Sequence, residues 1–409
     1  MRALLPVPVV LLALVAPAAG AQEPDIPCTV PLPAAAPAPD AEILATRELT
    51  HSFATGHGVR VAVIDTGVAP HEQLLPVIPG GDVVTPGAPD PLLDCDGHGT
   101  AVAGVIASRD LGVAPGAEII SVRQTSEHYR REEDDPSGSL ASLTDAIHIA
   151  LDHDADVINL SVVACVPSHV APRVDLRDLE RALARAETDD VVVVAATGNE
   201  NGQCLPGDVV YPAHLPTVVA VGALADSHSV AEYSLPVPPE RTHLAAAGSV
   251  PVALGVTGWA SGLLAADADP VRDGARGFEG TSFATPVVSG TAALLRERYP
   301  HDTAADLRAR LDAAAQPHHG AVEPYAVVTH LPGEESRPAR ELRITAAVPE
   351  RGTGHRRAAL VLSGALAALV AAAGVGGLAA RTSPGPASRR RRSRSTPGRP
   401  SPRTTSPAP

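Results

Sequence analysis

Residues 60–67 read Arg60-Val-Ala-Val-Ile-Asp65-Thr-Gly67. The apolar residues follow one another without alternation, so both faces of the segment belong in an interior. A run of that length is a buried parallel strand, and Thr66-Gly67 turns the chain at its carboxyl end. The same kind of run recurs at Glu118–Val122, Val157–Ser161, Val191–Ala196 and Val218–Val221. Helical patterns lie between several of them. In Leu140–His153 apolar side chains recur at 140, 143, 147 and 151, and Ser139 is placed to cap the first turn. Leu176–Glu187 is amphipathic with charges of both signs. Thr303-Ala-Ala-Asp306 opens another helix as a capping box. Strands alternating with helices predict an α/β fold, a doubly wound and mostly parallel sheet flanked by helices.

Ligands of such sheets bind beyond the carboxyl ends of the strands. The chemically suggestive residues fall there. Asp65 closes one strand. Asn199 follows another in Ala-Ala-Thr-Gly-Asn-Glu. His98 lies in Asp-Gly-His-Gly-Thr-Ala-Val-Ala-Gly, and Ser282 lies in Gly-Thr-Ser-Phe-Ala-Thr-Pro, at the head of a helix running to Tyr299. Singly, each is modest evidence, and a lone Asp after a strand is more often a cap or a turn residue. Together they suit nucleophilic catalysis, because a Ser hydroxyl is a weak nucleophile until a base takes its proton. The Asp–His–Ser order is the subtilisin order, distinct from those of chymotrypsin and the α/β-hydrolases.

On these motifs the chain resembles the subtilase family over about residues 55–330. The resemblance implies serine endopeptidase activity on peptide or protein substrates. It assigns Asp65, His98 and Ser282 as the triad and Asn199 as oxyanion donor. It also places substrate binding at Ser161, Val162 and Val163 on one edge and at Ala195, Ala196, Thr197 and Gly198 around the S1 region. Pro286 is expected in the first helical turn, where N–H groups lack intrahelical partners. The usual Gly-Gly of the first edge is missing, Thr197 and Thr285 stand where Ala is usual, and Thr242–Gly248 lacks the usual Pro before its Gly. Glu200 reads either as a determinant for a basic P1 residue or as a solvated loop charge. Serine chemistry needs no metal and no cofactor, and none is expected.

Three further stretches resemble mycosins, the membrane-anchored subtilases of actinobacterial type VII secretion systems. These are Asp94-Cys95-Asp96-Gly-His98, Ser121-Val-Arg-Gln-Thr-Ser126 and Val157-Ile-Asn-Leu-Ser-Val-Val-Ala-Cys165. Four cysteines in an exported chain suggest two disulfides, and spacing leaves all three pairings open. The mycosin resemblance implies Cys28–Cys95 and Cys165–Cys204. It also implies a type VII secretion membrane complex as partner.

The ends of the chain carry targeting signals. Arg2, the apolar run Val7–Val15 and Ala19-Gly20-Ala21 form a signal peptide cleaved before Gln22. Ala358–Ala380 is uncharged and long enough for a transmembrane helix. The eight Arg beyond it place the tail in the cytoplasm and the body outside. The expected layout is 1–21 signal peptide, 22–55 N-terminal extension, 56–330 catalytic domain, 331–357 linker, 358–380 membrane span and 381–409 basic disordered tail. Gln22 to about Ala45 is rich in Pro and Ala and reads as an extended arm wrapping the catalytic domain. The stretch from Gln22 to Val59 is shorter than the folding pro-domain that the subtilisin resemblance implies, so no folded inhibitory pro-domain is expected. Gln124–Gly138 reads as a polar surface loop. Residues 1–380 hold 24 Arg against 46 acids, which excludes nucleic acid as a partner. Aromatic content of 2% leaves the core to Val, Leu, Ile and Ala.

Overall fold

The computed structural model describes residues 22–129, 138–202, 204–227, 229–238, 241–266, 268, 274–317, 319–331 and 354–379. They fall into two units divided after Glu334. The stretches read as signal peptide and basic tail, most of that read as linker and part of the 124–138 loop lie outside the described residues.

The chain enters through a strand, β1 (Val30–Pro33), and a helix, α1 (Ala41–His51). The helix corrects the expectation of an extended arm up to Ala45. Asp40 accepts the Ile43 N–H and starts it, a local signal that outweighs the Pro/Ala composition around it. The parallel strands follow as β2 (Arg60–Asp65), β3 (Ile78–Asp82), β4 (Glu118–Arg123), β5 (Val157–Leu160), β6 (Val192–Ala196), β7 (Val218–Asp226) and β8 (His243–Ala247). The sheet runs β7, β6, β5, β2, β4, β3, with β8 also paired to β7, and every one of these pairs is parallel. Residues 229–230 add a short antiparallel edge, the eighth strand.

Both faces of the sheet are covered, and that is why the strands lack alternation. Helices α2 (His98–Ala107), α3 (Leu140–Asp152), α4 (Arg177–Thr188) and α5 (Thr281–Arg298) do most of the covering. Val61, Val63, Val192 and Val194 belong to one apolar cluster with residues of α2 and α5. Ala62, Ile64, Ile158 and Val193 belong to the other with residues of α3 and α4. Each large aliphatic side chain buried in this way contributes about 1.5–3 kcal/mol. The expected caps are present: Ser139 and Ser142 form a capping box on α3, and Thr303 and Asp306 form one on α6 (Ala304–Ala314). A short helix, α7 (Pro324–Thr329), completes the first unit.

The arm is tied to this body at several points. β1 pairs antiparallel with β9 (Gly258–Leu264), setting Pro31 opposite Leu263. The Thr29 N–H donates to the Cys95 carbonyl at 3.0 Å. The structure contains the disulfides Cys28–Cys95 and Cys165–Cys204. At the junction of arm and body, one oxygen of Glu297 on α5 accepts the N–H groups of Thr55, Gly56 and His57 at 2.6, 2.6 and 3.0 Å. Cys28–Cys95 closes a separation of 67 residues. Its replacement by Cys28→Ser with Cys95→Ser should therefore lower stability by about 2–5 kcal/mol in urea unfolding. An unchanged midpoint would mean that the arm contributes nothing to stability through this bridge.

The second unit contains α8 (Gly354–Ala379), a 26-residue helix. Leu360, Val361, Leu362, Leu366, Leu369 and Val370 are exposed on it. Among the described residues no helix is long and apolar enough to cross a membrane. Ala and Gly make up much of the 358–380 stretch and dilute its mean hydropathy.

Candidate active site

Asp65 is fully buried at the end of β2. His98 is the first residue of α2, and the Gly97 before it holds a left-handed φ of 74°. The helix must start close to the 65–67 turn, because a Cβ on Gly99 would lie 2.0 Å from the Gly67 carbonyl oxygen. That approach brings His98 Nδ1 to 2.7 Å from Asp65 Oδ1, which also accepts the Thr66 N–H at 2.8 Å. With Nδ1–H donated to the carboxylate, Nε2 is the basic nitrogen of the ring. Burial pulls the imidazole down. The charge and hydrogen bond of Asp65, helped by Asp94, outweigh it and hold His98 above its ordinary value, against a small opposing push from Arg276.

Beneath this pair lies a second carboxylate to which the sequence assigned no role. Asp94 is buried and accepts four hydrogen bonds. They come from Thr66 Oγ1 at 2.8 Å, Gly97 N–H at 2.7 Å, Thr100 N–H at 2.8 Å and Thr100 Oγ1 at 2.6 Å. Thr66 Oγ1 in turn accepts the Gly99 N–H at 3.0 Å. One buried side chain thus joins the turn that carries Asp65 to the turn that carries His98. The signal in the sequence was an acid inside the Asp94-Cys95-Asp96 motif, overshadowed there by its Cys.

Ser282 sits in the first turn of α5. Its Oγ donates to the Ser161 carbonyl at 3.0 Å, and Ser161 Oγ donates back to the Ser282 carbonyl at 3.0 Å. Pro286 explains the second bond. It is the sixth residue of the helix, not a first-turn residue, and its missing N–H is the one that would have bonded the Ser282 carbonyl. The freed carbonyl is taken by Ser161. Asn159 Nδ2 donates to Ser161 Oγ at 3.0 Å, and Ser289 Oγ donates to Asn159 Oδ1 at 2.8 Å, so a buried polar seam fastens α5 to β5. Asn199 Oδ1 accepts Thr281 N–H at 2.9 Å and Thr281 Oγ1 at 3.0 Å, which directs its Nδ2 donors elsewhere.

His98, Asn199 and Ser282 open on one cleft of about 880 Å³. Ser161, Val162, Val163, Ala196 and Gly198 line it with them. Ala195 and Thr197 do not. Ala195 is buried in the apolar cluster on the α3 and α4 side, and Thr197 is fully buried with Oγ1 3.5 Å from Ser234 Oγ. Glu200 is exposed and also lies outside the lining. Residues that sequence reasoning did not single out complete the walls. Phe283 stacks edge-on to His98 with centroids 5.3 Å apart and to Phe278 at 5.7 Å, and Leu263 and Arg276 lie beside them.

The subtilase family model matches residues 56–341. The chain belongs to the subtilase family. This subtilase is 39% identical over 283 residues to mycosin-4 of Mycobacterium tuberculosis, covering 64% of this chain and 61% of that protein. It is 36% identical over 378 residues to mycosin-1 of the same organism, covering 81% and 82% of the two chains. Among solved structures, the MycP3 protease from the type VII (ESX-3) secretion system superposes with a TM-score of 0.65 at 31% identity, covering 76% of this subtilase and 94% of that chain. A chain of an intact ESX-5 inner membrane complex gives a TM-score of 0.65 at 29% identity, with 87% and 94% covered.

Proposed function

We propose that this subtilase is a serine endopeptidase with Asp65, His98 and Ser282 as its triad and Asn199 as its oxyanion donor. The observation that carries the reading is the short bond from buried Asp65 to His98, which opens on the same cleft as Ser282 and Asn199. A substrate strand adds to the edge at Ser161–Val163. Its N–H groups compete for the Ser161 carbonyl, and that exchange releases the Ser282 hydroxyl. Ser282 Oγ then attacks the scissile carbonyl carbon while His98 Nε2 takes the hydroxyl proton. Asp65 holds the imidazole with Nε2 free and stabilises the imidazolium. The carbonyl oxygen, now negative, meets the Nδ2 donors of Asn199 and the N-terminal end of α5. His98 passes its proton to the leaving amine, and water hydrolyses the acyl-enzyme by the reverse sequence.

The layout supports an extracytoplasmic, membrane-anchored enzyme. A signal peptide over 1–21 exports the body, the arm at 22–55 stays on the catalytic domain at 56–330, and a linker at 331–357 leads to a span at 358–380. The Arg-rich tail at 381–409 stays in the cytoplasm. Support for the span comes from 23 uncharged residues with Arg on both sides and from the exposed apolar side chains of α8. The partner proposed for it is a type VII secretion membrane complex, on the likeness to the ESX-5 chain. The same likeness favours a second, compatible role as a structural subunit.

A fluorophosphonate probe on the full-length protein tests the enzymatic reading. Wild type should be labelled and Ser282→Ala should not. A folded wild type that resists the probe would leave the structural role alone. Normal assembly of the membrane complex around Ser282→Ala would separate the two roles.

A further inference from the structure

We infer that Val163 closes the pocket for the side chain preceding the scissile bond, so that this subtilase cuts after small uncharged residues such as Gly, Ala or Ser. The inference rests on the protease reading and names the substrate class of that same site. Ser282 is held between two backbone edges. One is Ser161–Ala164, joined to it by the paired Ser161–Ser282 hydrogen bonds. The other is Ala196–Asn199, joined to it through Asn199 and Thr281. A substrate carbonyl placed at Ser282 sends the side chain of its own residue between these edges.

Val163 and Gly198 line that space from its two sides. A Cβ built on Gly198, whose φ is 88°, would lie 3.5 Å from Val163 Cγ2, 3.3 Å from Leu235 Cδ1 and 3.6 Å from Val210 Cγ1. The Val163 isopropyl therefore reaches across to the backbone of the opposite edge. It packs on the same apolar cluster as Leu235 and Val210, and a β-branched side chain has little rotamer freedom with which to withdraw. The edges themselves are clamped. Cys165, two residues past Val163, is bonded to Cys204, five residues past Asn199. Residues 164–166 also pair antiparallel with 209–211. A bulky side chain can neither push Val163 aside nor spread the walls. Glu200 is exposed and lies outside the cleft lining.

Peptidyl diphenyl phosphonates that differ only in carrying Ala or Phe at P1 read this directly, because their rate of covalent capture needs no turnover. With the full-length protein the Ala probe should react faster by about 10–200-fold, the range that a misfitted apolar pocket supplies. Val163→Gly should shrink the Ala-to-Phe ratio at least tenfold, and Val163→Ala should shrink it by a smaller factor. A fluorophosphonate without a P1 side chain, applied to each variant, reports a competent site. If it labels but wild type takes the Phe probe as fast as the Ala probe, the inference fails and the protease reading stands. The inference also fails if both variants label and neither moves the ratio. If the fluorophosphonate labels nothing, both readings fall together.

Discussion

Asp65→Asn should lower kcat by about 10⁴-fold without unfolding the protein, the loss that removal of the triad carboxylate causes in related serine proteases. The amide has the shape of the carboxylate. It can keep one oxygen facing the Thr66 N–H and His98 Nδ1. What it lacks is charge. The imidazolium formed during attack then stands in a buried site with its main counter-charge removed. The pH dependence should move too. Burial lowers the His98 pKa, and Asp65 is the principal group raising it above the ordinary 6.5. His98 acts as a base only when neutral, so wild-type kcat/KM should fall with decreasing pH through a midpoint above 6.5. In Asp65→Asn that midpoint should drop, because burial is then less opposed. Equal midpoints in the two pH–rate profiles would remove Asp65 from the mechanism.

Asp94→Ala should be the most damaging substitution outside the proposed triad. It strips four donors of one acceptor. The N–H groups of Gly97 and Thr100 are left in a buried setting, and each orphaned donor costs about 1–3 kcal/mol. A total loss of about 3–5 kcal/mol in urea unfolding is expected, since a buried carboxylate network is broken from one side. Labelling of the folded fraction should slow as well, because the His98 and Asp65 turns lose their common tie. Unchanged stability would mean that the turns hold themselves. Burial pushes the Asp94 carboxyl up to about 6 against the hydrogen bonds from Thr100 and Thr66. A carboxyl with a raised pKa binds its proton more tightly in the folded state. The proton-linked part of its contribution is therefore complete below the ordinary 3.8 and is lost as pH rises through about 6, while the hydrogen bonds it accepts persist at neutral pH. In Asp94→Ala this part of the pH–stability curve should flatten between those limits.

Much of the architecture was legible before any coordinates. Short uninterrupted apolar runs such as Arg60–Asp65 read as strands covered on both faces, and the caps at Ser139 and Thr303 start the helices they were read to start. The α1 helix was hidden, because Asp40 is a single residue in a Pro/Ala-rich neighbourhood. Pro286 was misplaced by a turn, because a helix start can be read only to within a residue or two and the missing N–H falls on a particular partner.

For the site, local sequence determined which residues occupy the glycine-rich turns at the strand ends, since sharp turns and close backbone approach demand Gly at Gly97 and Gly99. It could not say which neighbours reach into the cleft. Ala195 and Thr197 sit immediately on either side of the lining residue Ala196 and yet are buried, because the strand's alternation and the packing of Ser234 decide which way they face. Asp94 lies 29 residues from Asp65, but both turns reach the same buried carboxylate only when β2 and α2 are packed together. Val163 meets Gly198 for the same reason. Backbone conformation is set by each residue and its immediate neighbours, so motifs and strands could be read along the chain. Burial, hydrogen-bond partners and pocket width are properties of contacts between distant segments, and only the tertiary fold creates those.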